Sequence, residues 1–509
     1  MERARNPTHR RKALSLRSDS GRRSGRSITS SLIAIGIPAL VAAIGGVAIM
    51  LWLAAEPDVG DVEIRLPPPA PTARVSAAAT EPGGASAEQP AAAVPGASAP
   101  GPAAPASSGG TVVALPGAWP RFRGANFDNI STETTALARS WGPGGPARLW
   151  SVQLGEGYAA PAVLNGRVYV LDYDRVAKAD TLRCFALADG REVWSQSYPV
   201  EVKRNHGMSR TVPAVTNKHV LTLGPKCHVL CADAVTGAVY WRMDLVAQFG
   251  TKVPGWYAGQ CPLIDGNRAI LAPGGSALLV AVDLASGSVV WETPNPHGWQ
   301  MTHSSVMPMT FDGQRMYVYC ASGGVVGVSA SDGSILWETP DWTVSTANVP
   351  SPVVVGDGRI FLSGGYNSGA MMLRLGKAGG KIVPEILYRL KPNVFGSQQQ
   401  TPILYKDHIY GLTPNRQLTC INLDGDLLWT SGRTKRFGQG PYLIAGGMLY
   451  VLSEDGELAL VEPTPAGYQE LARAKILNGP EAWGPMAIAG GRLLARDFTN
   501  MVCLDVRRS

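Results

Sequence analysis

Along most of the chain, apolar residues come in short runs, alternating with polar positions or unbroken, and Gly, Asn or Asp cuts each run off. Runs of this length and period read as strands joined by hairpins. They belong to two recurring phrases. The first is an apolar strand, a tight turn carrying Gly, and a second strand closed by Trp. It occurs as RCFALADGREVW ending at Trp194, LCADAVTGAVYW at Trp241, VAVDLASGSVVW at Trp291, VGVSASDGSILW at Trp337 and TCINLDGDLLW at Trp429. The second phrase is a Pro-led hairpin ahead of each Trp phrase. It reads APAVLNGRVYV around Pro161, VPAVTNKHVLT around Pro213, CPLIDGNRAIL around Pro262, MPMTFDGQRMYV around Pro308, SPVVVGDGRIFL around Pro352 and TPILYKDHIYG around Pro402, with weaker copies at Pro441 and Pro485. Turn pairs such as Asn165-Gly166 and Asp357-Gly358 mark the hairpins.

Together the phrases make a four-strand unit repeating every 40 to 50 residues or so, roughly the spacing of propeller blades. Eight Pro-led copies predict an all-β, eight-bladed β-propeller over residues 119–509. Blade 5 has Tyr388 where the Trp would fall, and blade 7 has only a weak segment at Tyr468. The eighth repeat stops at MVCLDV, ending at Val506, without its Trp strand, whereas an orphan strand, ARLWSVQL around Trp150, precedes the first complete repeat. A ring of blades leaves open edges unless something pairs them. The Trp150 strand is therefore expected to become the outermost strand of the last blade.

The small residue ten positions before Trp, the Asp or Ser/Thr before Gly, and the Trp itself resemble the tryptophan-docking repeat of pyrroloquinoline-quinone-like propellers. That group holds quinoprotein dehydrogenases and non-enzymatic relatives, including the propeller lipoprotein of outer-membrane protein assembly. The phrase WPRFRGANFDNIS, residues 119–131, resembles the opening of membrane-linked bacterial members. The resemblance spans about residues 119–509 and implies the fold, which hosts both enzymes and scaffolds. For the dehydrogenases it implies pyrroloquinoline quinone over the central channel beside calcium. Such a site uses hard oxygen ligands for the metal, an Asp base and cations for the cofactor's carboxylates. Larger members stack a vicinal Cys-Cys ring on the cofactor. This chain has no adjacent cysteines and no CxxCH haem motif.

The loops leading into the Pro strands should gather at one end of the channel. They offer Tyr158, Arg210, Gln260, Ser305, Asn348, Gln399, Gln400, Gln439 and Trp483, with His206, Trp256 and His303 further back. This set is rich in amides and poor in Asp and Glu, so a calcium-quinone site built from it would be short of negative charge. Its readings are a polar ring around a water-filled channel, a small-ligand or peptide pocket, or a quinone site. The residues taken as ligand-binding are Tyr158, Arg210, Trp256, Gln260, His303, Asn348, Gln399, Gln400 and Trp483; no catalytic residue and no metal site is expected. Neither GxSxG nor HExxH occurs, and the Gly-rich stretches at 142–146 and 364–369 do not follow a strand and open a helix as phosphate loops do.

Charge separates the N-terminal part from the rest. Residues 1–30 hold nine Arg or Lys against Glu2 and Asp19, an excess equal to the formal charge of +7 for the whole chain. The remainder is balanced, and the basic pI is no sign of a nucleic-acid surface. Residues 27–55 carry no charge, and 31–55 are long and apolar enough to predict a bilayer-spanning signal anchor. The basic flank before it places the N-terminus inside and the propeller outside, on the periplasmic face of the inner membrane. Residues 56–118, rich in Pro, Ala, Gly and Ser, read as a disordered tether. Of seven cysteines, Cys184 and Cys231 stand ten positions before Trp194 and Trp241, and Cys420 and Cys503 fall in the same slot of their blades. Equivalent slots in different blades are held apart, so these are expected as buried small hydrophobes rather than disulfides. The function expected is a membrane-anchored, non-catalytic scaffold that binds envelope proteins or peptides. The alternatives are a pyrroloquinoline-quinone-dependent alcohol or sugar dehydrogenase, with calcium, and a sensor retaining a small-ligand pocket.

Overall fold

The computed structural model describes residues 105–107 and 111–508. The predicted basic tail, the membrane helix at 31–55 and most of the tether lie outside these residues. Among the described residues no helix is long and apolar enough to cross a membrane.

Eight antiparallel sheets, each with four blade strands, follow one another around a ring. In blade 1 the strands run outward in chain order as Ala162–Leu164, Arg167–Asp174, Ala179–Ala186 and Glu192–Pro199. The hydrophobic pattern follows from this order. A third strand such as Ala277–Asp283 is sandwiched between neighbouring blades and is buried on both faces but for its last residue. An outer strand such as Val239–Asp244 is half exposed, and only Trp241 and Met243 are buried. Both two-faced burial and strict alternation are therefore present, each at its own depth in the blade. The core is a set of layers between blades; one holds Leu171, Leu182 and Trp194 of blade 1 with Val220 and Leu230 of blade 2.

The ring closes as expected. Ala147–Gln153 pairs antiparallel with Asn500–Asp505, and Trp150 lies opposite Cys503. The same register places Trp194 opposite Cys184, Trp241 opposite Cys231 and Trp429 opposite Cys420. All seven cysteines are free and buried. Tyr388 takes the Trp position of blade 5, opposite Met372. In blade 7 Ala472 holds that position, opposite Leu460, while Tyr468 precedes the strand and meets Trp429 edge-on at 6.0 Å.

The repeat's Gly and Trp meet across blades. A Cβ on Gly190, Gly237, Gly287 or Gly333 would come within 2.5–2.8 Å of the ring of Trp150, Trp194, Trp241 or Trp291, respectively, in the preceding blade. Each of these glycines also has a φ of +75° to +78°, which L side chains avoid. The indole N–H of Trp150 donates to the Leu187 carbonyl at 2.9 Å, and that of Trp241 to the Leu284 carbonyl at 2.9 Å.

Two short strands had no signal in the pattern. Ala106–Ser107 pairs with Trp194 and Ser195 at the outer edge of blade 1, and Ile130–Ser131 runs parallel to the inner strand of blade 7. The tether, expected to be disordered through Ala118, is packed down earlier: the Ala118 N–H donates to Glu133 at 2.8 Å, and a Cβ on Gly117 would fall 2.1 Å from Gly490 N. From there WPRFRGANFDNIS is a strap across one end of the ring. Trp119 exchanges main-chain hydrogen bonds with Val163 of blade 1, and Val215 of blade 2 donates to Pro120. Arg121 donates to Ile264 of blade 3, and Arg123 to Thr401 and Pro402 of blade 6. Asn129 then accepts from Ile444 of blade 7.

Candidate functional site

In this meander the loops between blades and the turns between second and third strands share one end of the channel; the strap crosses the other. A belt of side chains rings the channel where each inner strand begins. The Val212 N–H donates to Cys261 Sγ (3.3 Å), the Cys261 N–H to Ser305 Oγ (3.0 Å), the Ser305 N–H to Ser351 Oγ (2.9 Å) and the Ser351 N–H to Thr401 Oγ1 (2.9 Å). Blades 2 to 6 are thereby pinned in series. The belt places Ser305, rather than the residue just before Pro308, in register with Cys261, because the blade 4 hairpin is longer: Met307–Phe311 against Leu263–Asp265. Blades 7, 8 and 1 have Gly440, Gly484 and Ala160 at this position. There Arg496, 1 % exposed, takes over the joining role by donating to the carbonyls of Gly155, Ala159, Asp497 and Phe498 at 2.9–3.0 Å.

Above the belt is a cavity of about 260 Å³, lined by Tyr158, His206, Arg210, Trp256, His303, Ser305, Gln399, Gln400, Gln439 and Trp483 among others. Gln260 and Asn348 do not line it. Side chains alternate along an extended segment, and both neighbours of each (Gly259 and Cys261, Ala347 and Val349) face the cavity instead. Gln260 is turned into blade 3, where its amide accepts from the Ala272 N–H at 2.9 Å and donates to the Ala272 carbonyl. Asn348 is 4 % exposed, and neither amide atom has a hydrogen-bond partner.

Phe122, Tyr366 and Gln398 are among the wall residues that were missed. Phe122 reaches in from the strap and forms part of the wall. Tyr366 comes from the turn between strands Arg359–Gly364 and Gly369–Ala378, and its Gly-flanked GGYNSG sequence was the available signal. Gln398 adjoins two predicted glutamines.

One wall is aromatic and cationic. The Tyr158 ring stacks on Trp483 (5.1 Å, 27°) and meets Phe498 at 5.6 Å; the Arg210 guanidinium carbon lies 5.0 Å over the Tyr158 ring. The Tyr158 hydroxyl donates to Glu481 at 2.5 Å, and burial with this carboxylate pushes the phenol well above its usual range. Arg210 Nε donates to the Trp256 carbonyl and Nη2 to the Asn205 carbonyl at 3.3 Å. Burial lowers Arg210 to about 10, which leaves it charged at neutral pH. Burial first, then the charge of Arg210, lowers His303 to about 4, so this imidazole is neutral. Gly259 makes room for that ring, since a Cβ there would lie 2.6 Å from His303 Cδ2. Opposite, Gln400 Nε2 donates to the carbonyls of Gln439 (3.2 Å) and Trp483 (2.8 Å), joining blades 6, 7 and 8 at the mouth.

A family model described as outer membrane protein assembly factor BamB matches residues 178–424, from blade 1 into blade 6. The chain is an eight-bladed β-propeller whose blades 1 to 6 are similar to that family. The quinohemoprotein alcohol dehydrogenase of Comamonas testosteroni is similar in structure, with a TM-score of 0.53 at 11 % identity over 78 % of this chain and 82 % of that one. BamB of Moraxella catarrhalis gives 0.49 at 17 % identity, over 70 % and 99 %. At 11 % identity the first of these speaks for the fold alone. No curated protein sequence matches the chain.

The propeller's cavity does not suit the cofactor that the resemblance to quinoprotein dehydrogenases would imply. No Asp or Glu is among the lining residues, and the described residues contain no group of three or more His, Cys, Asp or Glu able to hold a metal ion. Calcium needs several hard, mostly anionic oxygens. The amides, neutral histidine and one arginine found here are a poor match for calcium-held pyrroloquinoline quinone.

Proposed function

We propose that this propeller is a non-catalytic binding scaffold of the bacterial envelope, held on the outer side of the cytoplasmic membrane by residues 31–55 and a Pro/Ala-rich tether. Its likeness to the BamB family supports protein or peptide partners in the envelope. The single observation that carries the reading is the chemistry of the cavity: aromatic and amide groups with one cation and no carboxylate. Such a lining binds and orients a ligand, and its groups of general-base type are two imidazoles, His206 and the buried His303, with no carboxylate beside them.

The test is calorimetry of the full-length chain in detergent with pyrroloquinoline quinone plus calcium, followed by dye reduction with alcohols and sugars. The scaffold reading expects no saturable heat and no turnover, together with crosslinking to an envelope protein in intact membranes. Turnover would overturn it in favour of a dehydrogenase.

A further inference from the structure

Arg210 is a cation without a contacting counter-ion; the Glu481 carboxylate acts on it only from beyond ion-pair distance. It makes no ion pair among the described residues, and its two hydrogen bonds, from Nε and Nη2, go to neutral carbonyls. The acid nearest this wall, Glu481, is engaged by the Tyr158 hydroxyl behind the aromatic stack. Taking a guanidinium out of water without an anion is costly, and a carboxylate would restore the balance through short charge-assisted bonds. The Nη1 group, which makes no hydrogen bond among the described residues, is free to donate them. Tyr158 and Trp483 give a flat apolar surface beside it, and Gln399 and Gln439 offer amide groups of the kind that pair with a peptide bond; the Gln439 Oε1 acceptor is buried and unpartnered. The strap crosses the far end of the channel and places Phe122 in the cavity wall, so a polymer cannot thread through. Only an end of a chain, or a small molecule, fits a cup of about 260 Å³.

We propose that the cup binds a carboxylate with an adjoining apolar or aromatic group, without a metal ion, and that Arg210 receives the carboxylate. This rests on the scaffold reading above and names the ligand chemistry of the same site. The carboxylate could belong to the C-terminal residue of a partner chain or to a free N-acylated amino acid; both present the same group to Arg210.

The experiment titrates the full-length chain, in detergent, with N-acetylphenylalanine, its carboxamide, and a decapeptide ending in phenylalanine with a free carboxylate. Saturable binding of either acid, weakened on the order of tenfold or more in the carboxamide and in Arg210→Gln, is the expected result. Arg210→Lys should recover part of the affinity, because a point charge replaces the fork. Gln399→Trp, which fills the cup while keeping the Arg210 side chain, should abolish binding while leaving the melting temperature and far-ultraviolet circular dichroism unchanged. A tighter fit for the decapeptide assigns the site to a partner's C-terminus, and a tighter fit for the free acid to a small molecule. Equal affinity for acid and carboxamide, unchanged affinity in a folded Arg210→Gln, or no saturation by either acid would overturn the proposal. Those results leave the scaffold reading standing if an envelope protein still crosslinks, whereas quinone turnover removes the scaffold reading itself.

Discussion

Asp180 shows what a single buried side chain does to the whole propeller. It is fully buried in blade 1, Tyr198 donates to its Oδ2, and its Oδ1 has no partner. Burial, the leading cause, raises its pKa to about 7, whereas in the unfolded chain it titrates near 4 or so. Between those values the folded state binds the extra proton, so stability falls as pH climbs from roughly 4 through 7 and levels off above. Asp180→Asn keeps an acceptor for Tyr198 and removes the charge. It should melt at a higher temperature than the wild type at pH 8 and lose the downward slope between pH 5 and 7. Parallel slopes for both proteins would show that the carboxylate is not the source. At this scale the sequence was informative where the repeat is strong: the cysteine slots opposite Trp were readable by counting back from the indole. Gln260 and Asn348 were not, because inner strands of two to five residues hold too few positions to fix which neighbour faces the channel.

Between residue and ring lies the blade, and the contact that joins blades is Trp against the next turn's Gly. Trp241→Ala removes a buried indole docked on Gly287 and should cost about 3–5 kcal/mol in denaturant unfolding. Gly287→Ala attacks the same contact from the other side. Its Cβ would sit 2.7 Å from Trp241 at a φ of +77°, so a loss of about 2 kcal/mol is expected. Leu427→Ala, on an exposed outer-strand position, should change stability by less than about 0.5 kcal/mol. If all three behaved alike, the docking contact would not be what holds the blades. Strand order, blade count and closure by Trp150 were all legible because they rest on phrases that recur every 40 to 50 residues or so. The strap was not. It has only two strand residues, Ile130 and Ser131, and is held by main-chain bonds and by Arg121 and Arg123 reaching carbonyls of distant blades, none of which leaves a period in the sequence.

For the molecule as a whole, blades 2 to 6 are tied by the belt of Ser, Thr and Cys, and the sector from blade 8 to blade 1 by Arg496. The channel mouth is therefore a stiff rim on which Arg210 and the aromatic wall are placed in advance, which limits the ordering a ligand must impose. Topology belongs to this scale too. A phosphatase reporter fused after Ser509 should be active, and a cytoplasm-dependent reporter at the same point silent; the reverse pattern would refute the proposed anchor orientation.

Ring closure also has a consequence for how the protein is made. The strand that completes the last blade, Ala147–Gln153, is synthesised before any complete blade, and its partner, Asn500–Asp505, is the last strand of the ring to emerge. Until it emerges, a nascent chain is an open arc with a bare edge at each end, exposed to aggregation and to proteases. The circle thus inspects its own completeness: a product truncated before Asn500 has every blade but the last and still cannot shut, so quality control can sort finished chains from fragments without reading either terminus.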